Sequence, residues 1–136
     1  MSSVLEKQLK SHTFFIDRSL GKKTIPDALI SKGLNVEIHD DHFEPDTSDQ
    51  EWLKSVGKNE WIVITKDNRI KNRSWEFDMV RKYNVRMFVV RQASLTGQEI
   101  ADILINTAKK LAIFLKYNNP PFIASISKSG NISKIR

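Results

Sequence analysis

The sequence contains no cysteine. This absence excludes a disulfide framework, a thiolate metal site such as a zinc ribbon, and a thiol nucleophile. Long apolar runs are also missing. Residues 1–7 lack the apolar core of a signal peptide, and the later apolar runs fall far short of a membrane span. We therefore expect a cytoplasmic protein with no membrane partner.

The length of the chain limits its organisation. A chain of 136 residues can build one sheet with covering helices and is too short for two separate cores. We predict a polar N-terminal lead-in at residues 1–12 and a single domain at residues 13–136.

Basic residues are concentrated in the second half of the chain. Residues 1–70 carry ten basic and twelve acidic side chains, whereas residues 71–136 carry twelve basic and four acidic ones. The two halves therefore have net charges of −2 and +8. A single lysine is usually no more than a solvent-exposed side chain on a helix face. The difference in net charge between the two halves nevertheless indicates an anionic partner such as RNA.

Strand-like and helix-like segments alternate along the chain. Nearly continuous apolar residues at 61–65 are typical of a central strand buried on both faces. A capping box from Thr96 to Glu99 opens the longest helix. This order predicts an α/β fold with a mostly parallel sheet and helices on both faces. Strands are predicted at residues 13–16, 34–38, 61–65, 85–90 and in a final hairpin at 122–135, and helices at 24–32, 48–56, 75–83 and 97–117.

An aspartate follows each of two strand-like runs. Asp17 comes directly after the first run, and Asp67 comes two residues after the run at 61–65. The carboxyl ends of parallel strands meet at one edge of a sheet, so Asp17 and Asp67 should lie together there. Asp49, in the first turn of the helix between them, is a third candidate. Because carboxylate oxygens suit Mg²⁺ or Mn²⁺, we predict that these three acids are both metal ligands and catalytic residues.

Five segments stand out when they are taken in order along the chain. They are Phe-Ile-Asp-Arg-Ser-Leu-Gly at 15–21, Asp-Asp-His-Phe at 40–43, Asp-Gln-Glu-Trp-Leu at 49–53, Ile-Thr-Lys-Asp-Asn-Arg-Ile at 64–70 and Pro-Pro-Phe-Ile-Ala at 120–124. Together they resemble the PIN-like domains grouped with VapC-type toxins, over nearly the whole chain from about residue 13. The resemblance implies a three-layer α/β/α PIN-like fold, a divalent-metal site of clustered acids and endoribonuclease activity of toxin type. It also implies an antitoxin that neutralises the protein, and a homodimer.

The resemblance also assigns residues. The first acid of the family falls on Asp17, its helical acid on Asp49, and its strand-end Thr-x-Asp on Thr65 and Asp67. PIN nucleases commonly carry a fourth acid close after the third, where this chain has Asn68. By position alone, Thr65 and Asn68 are predicted to support the ligands or a metal-bound water.

Basic residues stand beside both ligand motifs. We predict that they contact RNA phosphates, although a solvated charge beside a turn explains each one about as well. These residues are Arg18, Lys22, Lys23, Lys66, Arg69, Lys71 and Arg73.

Other functions fit parts of the sequence. A non-catalytic nucleic-acid or partner-binding module on a PIN-like scaffold is favoured by Asn68. A phosphohydrolase or phosphoacceptor domain fits poorly, because the residue two positions after Asp17 is Ser19 rather than a second aspartate, and the last long strand is followed by Arg91 rather than lysine. His39 and His42 flank two aspartates, which leaves a transition-metal or acid–base role open.

Overall fold

The computed structural model describes residues 3–66, 74–91 and 94–136, with side chains from residue 7 in the first range and from residue 77 in the second. The helices in these ranges are α1 (Ser3–Lys10), α2 (Thr24–Ser31), α3 (His39–His42), α4 (Asp49–Lys58), α5 (Ser74–Lys82), α6 (Gly97–Asn106) and α7 (Ala108–Tyr117). The strands are β1 (Thr13–Ile16), β2 (Asn35–Ile38), β3 (Ile62–Thr65), β4 (Arg86–Val90), β5 (Phe122–Ile126) and β6 (Ile132–Lys134). A short 3₁₀ turn, Arg18–Leu20, follows β1.

The strands form one six-stranded sheet in the order β2-β1-β3-β4-β5-β6. Every neighbouring pair is parallel except β5 and β6, which pair antiparallel. β3 is central, and all four of its residues are buried, as its continuous apolar sequence predicts. The predicted α/β fold with a mostly parallel sheet is confirmed.

Helices cover both faces of the sheet. Successive residues of a strand point to opposite faces, so each buried strand has apolar side chains for a core on both sides. Phe14 and Ile16 of β1 pack into the cluster that also holds apolar residues of α1, α2, α6 and α7. Phe15, between them, packs into the opposite cluster with residues of α4 and α5. These two cores give the three-layer α/β/α arrangement.

The N-terminal residues differ from the prediction. The sequence predicts a polar lead-in at residues 1–12, whereas the structure forms α1 there, and Leu9 is buried at 1% exposure in the same core as β1. α1 packs against α7 from the far end of the chain. A helix of eight residues contributes so few apolar side chains that its pattern is hard to distinguish from a polar segment.

The predicted long helix at 97–117 is divided into α6 and α7. The capping box that opens α6 is confirmed, with both the Thr96 and the Glu99 side chains engaged. The break lies at buried Thr107, whose hydroxyl and backbone N–H both donate to the carbonyl oxygen of Ile103. A threonine hydroxyl that bonds back to the preceding turn competes with regular helix geometry, so this residue ends one helix and precedes the next.

Candidate active site

Asp17 lies at the carboxyl end of the parallel sheet, directly after β1. The register of β1 and β3 sets Ile16 opposite Ile64, and the Asp17 backbone N–H donates to the Ile64 carbonyl oxygen over 3.1 Å. The end of β3, at Thr65, is therefore next to Asp17 although the two residues are 48 positions apart in sequence. The Asp17 side chain is partly exposed, so its carboxylate is accessible from solvent.

Two hydroxyl groups hold one oxygen of the Asp17 carboxylate. Ser19 Oγ and Thr65 Oγ1 each donate to Asp17 Oδ2 over 2.8 Å. The hydroxyls lie 3.3 Å from each other, and the Lys66 backbone N–H donates to Ser19 Oγ over 3.4 Å. Since Thr65 is only 5% exposed, the carboxylate is fixed from the protein side. Within the described ranges, Asp17 Oδ1 receives no hydrogen bond.

Ser19 is a member of this site that the sequence analysis did not select. Its hydroxyl reaches Asp17 because the 3₁₀ turn after β1 brings residues 17 and 19 together. The available signal was the spacing Asp-x-Ser in a turn after a strand, since hydroxyl side chains commonly bond to nearby groups in turns.

Several predicted site residues lie outside the described residues. They are Asp67, Asn68, Arg69, Lys71 and Arg73. The predicted meeting of Asp17 with Asp67 therefore remains a prediction, supported by the adjacency of β1 and β3.

Asp49 is placed at the start of α4, as predicted. Ser48 is the N-cap and accepts from the backbone N–H of Glu51. Asp49 Oδ1 accepts a hydrogen bond from the indole N–H of Trp52 over 2.8 Å, and the Trp52 ring stacks on Phe15 at 5.6 Å between centroids. Among the contacts that the structure describes, none joins Asp49 to the Ser19–Thr65–Asp17 network.

An acidic side chain contacts two of the predicted RNA-binding cations. Arg18 Nε lies 3.0 Å from Asp40 Oδ1, and Lys22 Nζ lies 3.9 Å from Asp40 Oδ2. Arg18 also donates through Nη1 to the Pro45 carbonyl oxygen over 3.4 Å. Lys23 is exposed at the start of α2. Arg18 and Lys22 are thus partly neutralised before any ligand binds.

The two histidines of α3 have different surroundings. His42 Nε2 lies 2.8 Å from Glu37 Oε2, at the surface. His39 is 3% exposed and packs among the rings of Phe15 and Phe43. Among the residues that the structure describes, its Nδ1 has no hydrogen-bond partner, and Asp40 Oδ1 lies 3.7 Å away.

Comparison with known proteins agrees with this mostly parallel α/β sheet. A protein family described as PIN-like domain matches residues 13–92, more than half of the chain. The chain belongs to the PIN-like domain family. The matched range contains all three predicted acids, Asp17, Asp49 and Asp67, so the family resemblance drawn from the sequence motifs is confirmed.

A second comparison, with a single related protein, covers a longer part of the chain. The chain is 26% identical over 119 residues to a Mycobacterium tuberculosis protein named "Putative ribonuclease VapC45", a match that covers 85% of this chain and 86% of the relative. No solved structure gives a significant match. In the described part of this PIN-like chain, no helix has the length and apolar character needed to cross a membrane.

The donor chemistry of the site can be compared with the needs of Mg²⁺ or Mn²⁺, which take oxygen ligands. Asp17 fits these requirements, because two hydroxyl groups orient its Oδ2 and its Oδ1 accepts no hydrogen bond from the described residues. Asp49 has one oxygen engaged by Trp52. Within residues 3–66, 74–91 and 94–136, no group of three or more histidine or acidic side chains is arranged to hold a metal. Asp67, the third acid predicted from the sequence, lies outside these ranges.

Proposed function

We propose that this PIN-like protein is a divalent-metal-dependent endoribonuclease of toxin type that hydrolyses RNA phosphodiesters. One observation carries the proposal: the Asp17 carboxylate is fixed by Ser19 and Thr65 at the adjoining carboxyl ends of β1 and β3. The relative named as a ribonuclease over 85% of the chain supports the same activity.

Asp17, Asp49 and Asp67 are the proposed metal ligands and catalytic residues, with Mg²⁺ or Mn²⁺ as cofactor. A bound divalent ion makes a water more acidic and stabilises charge on the leaving oxygen. Within the protein, the Thr65 hydroxyl holds the Asp17 carboxylate in one orientation. Asn68, directly after Asp67, is proposed to hold a water without adding charge. The proposed partners are RNA, a cognate antitoxin and a second copy of the chain.

The charge of the chain supports an RNA substrate. The overall net charge is +6, and Arg18 follows Asp17 directly in sequence. Basic side chains near the acids raise the local concentration of a polyanion and position its phosphates, an effect that weakens with salt. Lys66, Arg69, Lys71 and Arg73, which follow Thr65 in sequence, are proposed to act in the same way.

A non-catalytic RNA-binding or partner-binding module is the second candidate. It is favoured by Asn68, which stands where PIN nucleases commonly carry an acid. Such a module would bind RNA through the same cations and would show no metal-dependent cleavage.

The deciding experiment is cleavage of mixed RNA by the purified protein with Mg²⁺, with Mn²⁺ and with EDTA. Asp17→Asn and Asp67→Asn variants test the two ligands. Asp102→Asn, an exposed acid on α6, is the matched control for the loss of one negative charge. We expect metal-dependent cleavage by the wild type and by Asp102→Asn, and loss of cleavage in both site variants. RNA binding without cleavage by any of the four folded proteins would instead support the binding module.

A further inference from the structure

A cavity of about 280 Å³ opens between the carboxyl ends of β1 and β2. Its walls include Ile16 and Ile38, the last residues of the two strands, and the side chains of Arg18, Lys22, His39 and Asp40. Ile16 and Arg18 flank Asp17 in sequence, so the cavity adjoins the candidate active site.

Asp40 places its carboxylate between the two cations of this cavity. One oxygen lies 3.0 Å from Arg18 Nε and the other lies 3.9 Å from Lys22 Nζ. A phosphate would present two oxygens to the same pair of cations in the same way. The Arg18 and Lys22 side chains are 47% and 69% exposed. Ion pairs this exposed to solvent contribute little to stability, so a ligand can exchange with Asp40 at small cost.

His39 provides a second, independent feature of the cavity. The ring is buried, yet Nδ1 has no hydrogen-bond partner in the part of the chain that the structure describes. Buried polar atoms are nearly always paired in folded proteins. Nδ1 lies 3.7 Å from Asp40 Oδ1, beyond hydrogen-bond distance. A ligand oxygen that replaced Asp40 Oδ1 and lay slightly deeper in the cavity would give this nitrogen a partner.

We infer that this cavity is a phosphate-binding subsite for RNA, and that Asp40 occupies its two cations in the free protein. An RNA phosphodiester next to the one at Asp17 displaces Asp40 and binds Arg18, Lys22 and His39. The assignment of RNA as the ligand rests on the proposed function. Asp40 therefore weakens RNA binding by competing for the cations, and its loss should strengthen binding.

The test measures binding of a single-stranded RNA oligonucleotide by fluorescence anisotropy at several salt concentrations. All proteins carry Asp17→Asn, so that cleavage does not interfere. Asp40→Asn is compared with Asp41→Asn, an exposed neighbour that removes the same charge. Each phosphate contact on a single strand adds about 0.7 to the slope of log affinity against log salt. Because one phosphodiester fills the subsite in both proteins, the slopes should agree, and Asp40→Asn should bind RNA about threefold to fivefold more tightly at 0.1 M salt, since the ion pair that competes with RNA is exposed and weak.

Equal RNA affinity of the Asp40→Asn and Asp41→Asn proteins would overturn the subsite. Weaker RNA binding in Asp40→Asn would overturn it as well. If Asp40→Asn does not fold, Lys22→Gln decides. It should weaken RNA binding and lower the slope by about 0.7 relative to Lys32→Gln, an exposed lysine at the opposite end of α2, and equal values for the two lysine variants would reject the subsite.

Cleavage assays separate this inference from the proposed function. A subsite confirmed by binding in a protein that never cleaves RNA would reject the nuclease and keep the subsite. Loss of cleavage by Asp40→Asn in an otherwise unchanged protein, with unaltered RNA affinity, would show that Asp40 acts as a metal ligand and would overturn the inference.

Discussion

Replacing Thr65 by valine removes one hydroxyl from the Asp17 carboxylate and keeps a branched side chain of similar size. The hydroxyl donates over 2.8 Å from a position that is 5% exposed. Water cannot easily replace it there. Ser19 still donates to the same oxygen, so the carboxylate keeps one of its two partners.

The size of the effect follows from the charge of the acceptor. A hydrogen bond to a charged group contributes about 1.5–3 kcal/mol, against about 0.5–1.5 kcal/mol for a neutral pair. With an unfolding entropy of about 2.1 cal/mol/K per residue over 136 residues, a loss of about 1.5–3 kcal/mol lowers Tm by about 5–10 °C. The remaining Ser19 bond favours the lower end of this range.

A double-mutant cycle isolates the hydrogen bond from other effects of the substitution. Urea denaturation is measured for the wild type, Thr65→Val, Asp17→Asn and the double variant. In the Asp17→Asn background the acceptor is a neutral amide, so Thr65→Val should cost about 1 kcal/mol less there. Thr107→Val, another buried threonine that donates to a backbone carbonyl, is the control and should cost the same in both backgrounds.

Equal costs of Thr65→Val in the two backgrounds would refute the reasoning, because the hydroxyl would then not act through the carboxylate. Under the proposed function, Thr65→Val should also lower kcat with little change in RNA affinity, since Thr65 positions Asp17 and has no assigned phosphate contact. Thr65→Ser keeps the hydroxyl and should retain most of the activity.

Three further predictions concern stability. Gly57→Ala should lose about 1–3 kcal/mol in urea denaturation, because a Cβ there would lie 2.1 Å from the Tyr83 carbonyl oxygen. Burial, and next the charge of Arg86, lower the pKa of His12 below its ordinary 6.5. The unfolded chain therefore takes up this proton first, and stability should fall as the pH drops below about 6.5, a dependence that His12→Gln weakens. Hydrogen bonds at the start of α6, first the backbone N–H at the N-cap, lower the pKa of Glu99. Its contribution to stability is present above pH 4.5 and lost as the pH falls through the lowered value, so Glu99→Gln should flatten this part of the stability profile.

Matched variants check these predictions. Gly97→Ala should change stability by less than about 1 kcal/mol, because the nearest atom to its Cβ, Thr24 Cβ, is at an ordinary 3.5 Å. An equal loss in Gly57→Ala and Gly97→Ala would contradict the steric argument. A His12→Gln protein with an unaltered profile below pH 6.5 would show that His12 does not titrate differently on folding.

The sequence predicted the parts of the site that depend on local pattern. The continuous apolar run before Thr65 indicated a central strand, and the structure places β3 there with all residues buried. The alternation of elements predicted that β1 and β3 run parallel, and the position of Asp17 at a strand end followed from it. These features depend on which side chains face the core. The order of apolar residues along a strand indicates those side chains directly.

The contacts between distant segments were not predictable in this way. The burial of Leu9 against the sheet, the hydrogen bond from Thr65 to Asp17 and the pairing of Asp40 with Arg18 appear only in the folded chain. Each depends on strand register or helix packing that brings separated residues together, and no local pattern specifies those relations.

By itself, the sequence therefore determined the fold class, the position of Asp17 at the carboxyl end of a strand and the basic character of the chain. Only the tertiary structure decided that Asp17 Oδ2 is the oxygen that accepts the hydroxyl hydrogen bonds. It also decided that Asp40 forms ion pairs with Arg18 and Lys22. The physical reason is that apolar periodicity selects the buried face of each element, whereas hydrogen bonds and ion pairs form between side chains only after the register of neighbouring strands has fixed their distances.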